Sequence, residues 1–212
     1  MTIRKRLTRR ALFTGAATAV AIGATAGVAL AVAITFTITP GGAISGKAGT
    51  TTLTDTGTGT KLVCTSSTSK GTVKKGSGIS GSNLGSITAQ TFSNCTGPLG
   101  LQLTVTTKHF PWTLSGTSYN ASTGTTTGFI NGIEATVTGP SCSLSVAGTT
   151  ASTPAKVKVT YTNSTGKLKV LTTGGTLHTW KVSGCAGLIG SGDASTFSGT
   201  YTVTPKQTIK SP

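Results

Sequence analysis

The sequence predicts an all-β fold, with a disulfide-stabilised β-sandwich as the first choice and a closed β-barrel as the second. After residue 33, 42 of 179 residues are threonine, whose branched Cβ favours strands. Residues that favour helices, such as Glu, Gln, Arg and Met, are scarce in the same region. Short alternating segments separated by turns rich in Gly, Asn and Ser indicate about ten to twelve strands.

Alternation of apolar and polar residues predicts the strands in chain order. The first, Ile34–Thr39, places Phe36 and Ile38 on one face and ends at Pro40. The threonine-rich segment 50–60 is either a stalk or a pair of edge strands. Four later segments alternate in the same way, with predicted inner faces of Leu101, Leu103 and Val105; Phe129, Asn131, Ile133, Ala135 and Val137; Cys142, Leu144 and Val146; and Phe197, Gly199, Tyr201 and Val203.

The clearest hairpin is predicted to turn at residues 163–166. This turn places Tyr161 opposite Leu168 and Val159 opposite Val170, so these four side chains share the buried face of the hairpin. The opposite face of the hairpin gathers Lys156, Lys158, Lys167 and Lys169. Lysines protect exposed sheet edges against strand-to-strand aggregation, so we favour that role and keep a basic binding face as the alternative.

The N-terminal segment has the layout of an export signal. Five basic residues fall within the first ten, an apolar stretch follows, and Ala31-Val32-Ala33 precedes a predicted cleavage before Ile34. The pair Arg9-Arg10 is typical of the twin-arginine route. We therefore predict an export signal at residues 1–33, a single domain at 34–212, and a secreted or cell-wall-associated protein that contacts membrane only through an uncleaved signal. A retained membrane anchor is the alternative.

Four cysteines, all after the predicted signal, indicate two disulfides in an oxidising compartment. Three pairings exist. We favour 64 with 95 and 142 with 185, because each pair brackets one half of the chain and similar residues follow the second member of each pair. Zinc is the competing explanation, but it needs closely spaced ligands that this sequence lacks, and no metal or cofactor is predicted. The cysteines are Cys64, Cys95, Cys142 and Cys185.

The charge of the predicted domain is strongly positive and is carried by lysine alone. The chain has 18 basic and 3 acidic residues, and beyond the five basic residues of the first ten every cation is a lysine. Readers of nucleic-acid sequence depend on the bidentate guanidinium group of arginine, so no specific nucleic-acid partner is predicted. Anionic cell-wall polymers, or a hydrophobic compound or surface, are the predicted partners.

Catalytic groups are few. A glycosidase needs two carboxylates about 5 to 9.5 Å apart, and the predicted domain has only Asp55, Glu134 and Asp193. The alternation predicts that His178 lies on the same strand face as Trp180, which favours a packed histidine over a member of a Ser-His-Asp triad. We therefore predict a protein that is not an enzyme, and keep an exported hydrolase or carbohydrate-binding module as the rival.

The aromatic segment 109–112 is the strongest candidate for a ligand site. His109, Phe110 and Trp112 surround Pro111, and exposed rings of this kind stack on sugars or cover apolar ligands. We favour a role in which the rings plug one end of the sandwich, and keep the exposed ligand platform as the alternative. The Phe110–Pro111 bond is a candidate cis peptide.

Several short motifs together resemble a known family. They are Thr39-Pro40-Gly41-Gly42, Cys64, Phe110-Pro111-Trp112, Gly132-Ile133-Glu134-Ala135, Cys185 and Gly199-Thr200-Tyr201-Thr202-Val203-Thr204-Pro205. In this combination the chain resembles secreted bacterial activators of alkane oxidation of the PraB type, and related secreted proteins of actinobacteria. The resemblance implies a secreted protein associated with hydrophobic growth substrates or surfaces, with no catalytic residues to carry over.

Overall fold

The computed structural model describes residues 34–212, so the predicted export signal at 1–33 lies outside the described residues. No helix in the described part is long and apolar enough to cross a membrane. The only helical pieces there are the 3-10 turns Pro98–Gly100 and Cys185–Gly187. The strands are β1 (Thr35–Thr39), β2 (Gly42–Ala48), β3 (Thr51–Asp55), β4 (Lys61–Val73), β5 (Gly76–Ser80), β6 (Gly85–Thr96), β7 (Gln102–Lys108), β8 (Trp112–Asn120), β9 (Thr125–Gly139), β10 (Cys142–Ala147), β11 (Ala155–Thr162), β12 (Lys167–Val170), β13 (His178–Gly184), β14 (Ser195–Thr204) and β15 (Thr208–Lys210).

The larger sheet closes on itself. Following antiparallel pairs from β9, the order is β11, β12, β14, β2, β4, β6 and β8, and β8 pairs with β9 again. The all-β prediction is confirmed, and the pairing follows the second of the two predicted architectures, the closed barrel. A ring of about eight strands has an interior just wide enough to be filled by side chains or to hold one small ligand.

Four long strands, β4, β6, β9 and β14, run through two halves of this ring. In the half that we call the plug half, β2, β8, β11 and β12 fill the gaps between them. In the other, the disulfide half, β3, β7, β10 and β13 fill the corresponding gaps. Here β13 and the start of β14 share one bridge, between His178 and Ala194, and backbone hydrogen bonds from Ser195 to Leu177 and from Thr179 to Asp193 join the two segments beside it.

A small sheet of order β15-β1-β5 packs against inward-facing residues of the plug half. Phe36 and Ile38 of β1 are completely buried, as the alternation predicts. A Cβ on Gly116 of β8 would lie 2.8 Å from the Phe36 ring, so the ring occupies the space that a side chain would take. The Tyr161 hydroxyl of β11 donates to the Gln207 carbonyl at 2.9 Å. The small sheet therefore closes this end of the ring.

Most predicted strand faces are confirmed, with one correction in β9. Tyr161 pairs with Leu168 and Val159 with Val170, as the hairpin pattern predicts. The prediction that Phe129 and Asn131 share the inner face of β9 is wrong. Gly132 has a φ of +91° and shifts the alternation, so that the inward residues are Gly128 and Ile130 before it, and Ile133, Ala135 and Val137 after it. A glycine within a strand is a usual site for such a shift because it tolerates positive φ.

The segment predicted as stalk or edge strands contains β3, which is paired on both sides, with β4 and with β14. The structure has fifteen strands in the described part rather than ten to twelve. Part of the difference arises because the plug half and the disulfide half fill the gaps between the long strands with separate short strands.

Both predicted disulfides are confirmed, Cys64 with Cys95 and Cys142 with Cys185. The first joins directly opposed residues of β4 and β6. The second joins the start of β10 to the residue after β13. A 3-10 turn lies near the second cysteine of each pair, but at different positions: Pro98–Gly100 begins three residues after Cys95, and Cys185–Gly187 begins at Cys185 itself.

Candidate functional site

The interior of the ring contains a partly open apolar cavity of about 120 Å³. Its wall comes from both halves of the ring, because the long strands pass through both. Leu114, Ile130 and Val157 represent the plug half, and Val105 and Val137 the disulfide half. These residues are apolar and alternate with outward threonines and lysines along their strands, which is the pattern that places an apolar surface inside a closed ring.

A group of three polar side chains lies in the core beside this cavity. Tyr201 and Ser67 share a hydrogen bond of 2.8 Å between their hydroxyls, and Gln90 donates from Nε2 to the Tyr201 hydroxyl at 3.2 Å. Burial raises the pKa of Tyr201 above 10.0, while the hydrogen bonds to Ser67 and Gln90 act in the opposite direction. These hydrogen bonds join the two hydroxyl groups and the Gln90 amide N–H into one buried polar group beside the cavity.

Thr51 is the exception in the cavity wall. It is 1% exposed and its hydroxyl has no hydrogen-bond partner within the described residues. A buried hydroxyl without a partner costs about 1 to 3 kcal/mol. The cavity wall therefore carries one unpaired hydroxyl in otherwise apolar surroundings.

The predicted aromatic site lies where the chain passes from β7 to β8. Trp112 is 5% exposed and lines the cavity, and its indole Nε1 donates to the Lys108 carbonyl at 2.9 Å. The Phe110 ring is half-buried and its centroid lies 4.7 Å from that of Trp112. His109 is exposed, and its Nδ1 lies 2.8 Å from Glu134 Oε2. The Phe110–Pro111 bond is cis.

The burial of Trp112 agrees with the core role favoured for this segment. The alternative, an exposed platform of two rings, requires Trp112 at the surface, but the inward parity of β8 turns its side chain into the ring. Of the three predicted residues, Trp112 lines the cavity, Phe110 packs against Trp112, and His109 is exposed.

The four hairpin lysines lie together on the outer wall of the ring, but they do not protect an edge. β11 is paired with β9 and β12, and β12 with β11 and β14, so neither strand has an open side. The edge-protection interpretation of Lys156, Lys158, Lys167 and Lys169 is therefore wrong, because the ring removes the edge. The ammonium of Lys156 lies 4.9 Å from the centroid of the Phe129 ring.

The three carboxylates of the described residues are each engaged locally. Asp55, 2% exposed, accepts backbone hydrogen bonds from Gly57 and Thr58, and Asp193 accepts one from Gly190. Such bonds are typical of turn-forming aspartates. Glu134 is bonded to His109 on the outer surface. Asp55 and Asp193 lie close together, because a Cβ on Gly57 would lie 2.9 Å from Asp193 Oδ2 and 3.3 Å from Asp55 Oδ1. Asp55 Oδ2 is buried without a hydrogen-bond partner among the described residues.

His178 is in the bonded, packed state that its alternation predicts. Its Nδ1 lies 3.1 Å from the Thr176 carbonyl, and its ring stacks at 6.2 Å from Trp180. It therefore forms no hydrogen-bonded Ser-His-Asp triad in the described residues. Between residues 34 and 212, no group of three His, Cys, Asp or Glu side chains is placed to hold a metal ion.

Sequence reasoning missed the cavity itself. The inward residues of most strands could be identified by alternation, but the space between them depends on which distant strands become neighbours. The Ser67, Gln90 and Tyr201 group was also missed, since these residues come from three separate strands and share no sequence motif.

Fold and site together define a class of protein: a disulfide-linked, closed β ring with an apolar interior and a lysine-rich exterior. A family model described as "Alkane oxidation protein activator PraA/PraB-like" matches residues 9–211. The chain belongs to this family, as its motifs indicate. Comparison with curated proteins and with solved structures finds no match to either.

Proposed function

We propose that the protein is a non-catalytic, exported binding protein that holds a small apolar molecule, of the hydrocarbon class, in the cavity of its ring. The apolar cavity inside the ring is the single observation that carries this proposal. The description of the family as an activator of alkane oxidation agrees with a role in handling hydrocarbon rather than in transforming it. The disulfides agree with an oxidising compartment.

The volume of the cavity sets the size of the ligand. An apolar cavity of about 150 Å³ in another protein stays dry and binds benzene or xenon. The cavity here, of about 120 Å³, is slightly smaller, which selects molecules of about six carbons or fewer. Burying six carbons at about 0.8 kcal/mol each contributes about 5 kcal/mol, or a Kd on the order of 0.2 mM.

The gap between the loop 171–175 and the first residues of β14 supplies an entry route in this proposal. A second hollow of about 150 Å³ lies there, lined by the loop 171–175 and by β14. Val157, Leu177 and Phe197 line both this hollow and the cavity. Phe197 is only half-buried and meets Phe92 edge-on at 5.8 Å. Rotation of the Phe197 ring would join the two spaces without breaking a strand pair.

The proposal is tested with benzene and with n-hexane supplied as vapour, by calorimetry and by thermal unfolding. Ala135→Leu adds a branched side chain to the cavity wall, and Ala121→Leu makes the same change in the exposed turn after β8. We expect the wild type and Ala121→Leu to bind both molecules at sub-millimolar to millimolar concentration, and Ala135→Leu to lose at least tenfold in affinity.

Val146→Ile provides a milder filling variant if Ala135→Leu does not fold. Val146 also lines the cavity, and one added methylene should reduce the affinity for n-hexane severalfold while leaving the fold intact. Equal binding by the wild type and by both filling variants would place the ligand elsewhere and overturn the proposal.

A further inference from the structure

Six lysines form a continuous stripe across the outer wall of the plug half. The stripe extends the predicted basic face in both directions, because β14 and β2 continue the wall beyond β12. The six lysines occupy outward positions of their strands; five are exposed and Lys158 is half-buried. The lysine stripe consists of Lys156, Lys158, Lys169, Lys167, Lys47 and Lys70.

Strand register fixes the spacing along the stripe. Lys167 and Lys47 both pair with Thr202, one from each side, so they lie two strands apart, which corresponds to about 9.5 Å. Lys167 and Lys169 lie two residues apart on one strand, about 6.7 Å. These spacings are close to the Debye length of about 8 Å at physiological ionic strength, so neighbouring charges reinforce one another at the surface.

No carboxylate neutralises the stripe. The one ion pair between side chains of residues 34–212 joins His109 to Glu134, and the other two acids are bonded to turn backbone, as described above. Threonines flank the lysines instead: Thr202 lies between Lys167 and Lys47, and Thr200 lies beside Lys169. The wall therefore presents ammonium groups and hydroxyl donors and no competing anion.

We propose that the lysine stripe binds a linear, flexible phosphate polymer. Phosphate oxyanions accept hydrogen bonds from ammonium and hydroxyl groups without the planar geometry that arginine recognises. The outer wall of a closed ring is convex, so a flexible chain can follow the stripe across five strands. A rigid duplex or a flat bilayer meets a convex wall along a narrower contact and reaches fewer of the lysines.

Contact with about five phosphates predicts a steep dependence on salt. For a flexible strand the logarithm of the association constant falls with the logarithm of salt concentration at about 0.7 per neutralised phosphate. Five contacts therefore predict a loss of about 100-fold between 50 and 200 mM NaCl. Removal of three lysines should lower the slope by about 2.

The test uses the full chain and long-chain inorganic polyphosphate, with affinity measured across that salt range. The stripe variant is Lys47→Gln, Lys167→Gln and Lys169→Gln. Its control replaces three exposed lysines of equal total charge outside the stripe. The control variant is Lys61→Gln, Lys181→Gln and Lys210→Gln.

We expect the stripe variant to lose at least tenfold in affinity at 50 mM NaCl and the control to lose no more than twofold. Equal losses in both variants would show that net charge alone binds the polymer, and would overturn the proposal. Tighter binding, per phosphate, to a DNA duplex or to vesicles of phosphatidylglycerol than to polyphosphate would assign the surface to those partners and would also overturn it. Circular dichroism of both variants confirms that each is folded.

Discussion

The substitution Trp112→Ala distinguishes between two interpretations of this side chain, a tryptophan in the core and part of an exposed ligand platform. The side chain is 5% exposed, so the substitution removes a large buried ring and opens a space beside the existing cavity. Burial on this scale predicts a loss of about 3 to 5 kcal/mol in the free energy of unfolding. The Lys108 carbonyl also loses its indole donor, which adds about 1 kcal/mol. We expect a total loss of about 5 kcal/mol.

Denaturant unfolding followed by circular dichroism at 25 °C measures this loss, together with benzene binding on the same sample. Because the change enlarges the cavity, benzene affinity should rise or stay equal as stability falls. Trp112→Phe, which retains a ring but loses the N–H donor, should give an intermediate loss of about 1 to 2 kcal/mol and remains measurable if Trp112→Ala does not fold. A loss below about 1.5 kcal/mol for Trp112→Ala, together with weaker benzene binding, would refute the assignment of this ring to the cavity wall.

Three further predictions concern the interior. Thr51→Val removes the unpaired buried hydroxyl at almost constant shape, so it should raise the free energy of unfolding by about 1 kcal/mol; a loss of stability in the same denaturant assay would indicate a missing partner for that hydroxyl. Gly116→Ala brings a Cβ within 2.9 Å of Phe36 and Leu84 atoms, and should cost about 1 to 3 kcal/mol by displacing the small sheet that closes the ring; unchanged thermal stability would argue against that packing. Burial raises the pKa of Tyr201 above 10.0, so the unfolded state releases this proton first and the stabilisation, complete below about pH 10, is lost as pH rises through the folded pKa. Tyr201→Phe should therefore show a shallower decline of stability in alkaline denaturation series, and a decline as steep as that of the wild type would contradict this origin.

Local features of the fold were predictable because they depend on residues close in sequence. The hairpin pairing of Tyr161 with Leu168 follows from the period of two and the turn at 163–166. The disulfide pairing followed from the way each cysteine pair brackets one half of the chain and from the similar residues after Cys95 and Cys185.

The closure of the ring was not predictable from local pattern. It depends on pairs such as β14 with β2, which lie more than 150 residues apart along the chain. The alternation of apolar and polar residues identifies the side chains that share a face of the sheet. It does not identify which distant strand becomes the neighbour. For the same reason the lysines of β12 were assigned to an edge, and the cavity had no sequence signature.

The failure within β9 has a different origin. Alternation was extended through Gly132, although a glycine in a strand often marks a bulge. Its φ of +91° reverses the parity, which turns Phe129 outward beneath Lys156 and Ile130 inward to the cavity. A single residue thus moves one aromatic side chain from the predicted core to the base of the lysine stripe.

Methyl-selective NMR titration with n-hexane tests the central claim, that the ring holds an apolar molecule in its interior, most directly. We expect saturable shifts confined to methyl groups of the cavity wall, such as those of Ile130, Val157 and Leu168. The exposed Leu99 and Leu188 serve as internal controls and should not shift. Shifts at Leu99 and Leu188 without shifts at the wall, or no saturable shift at all, would contradict binding inside the ring.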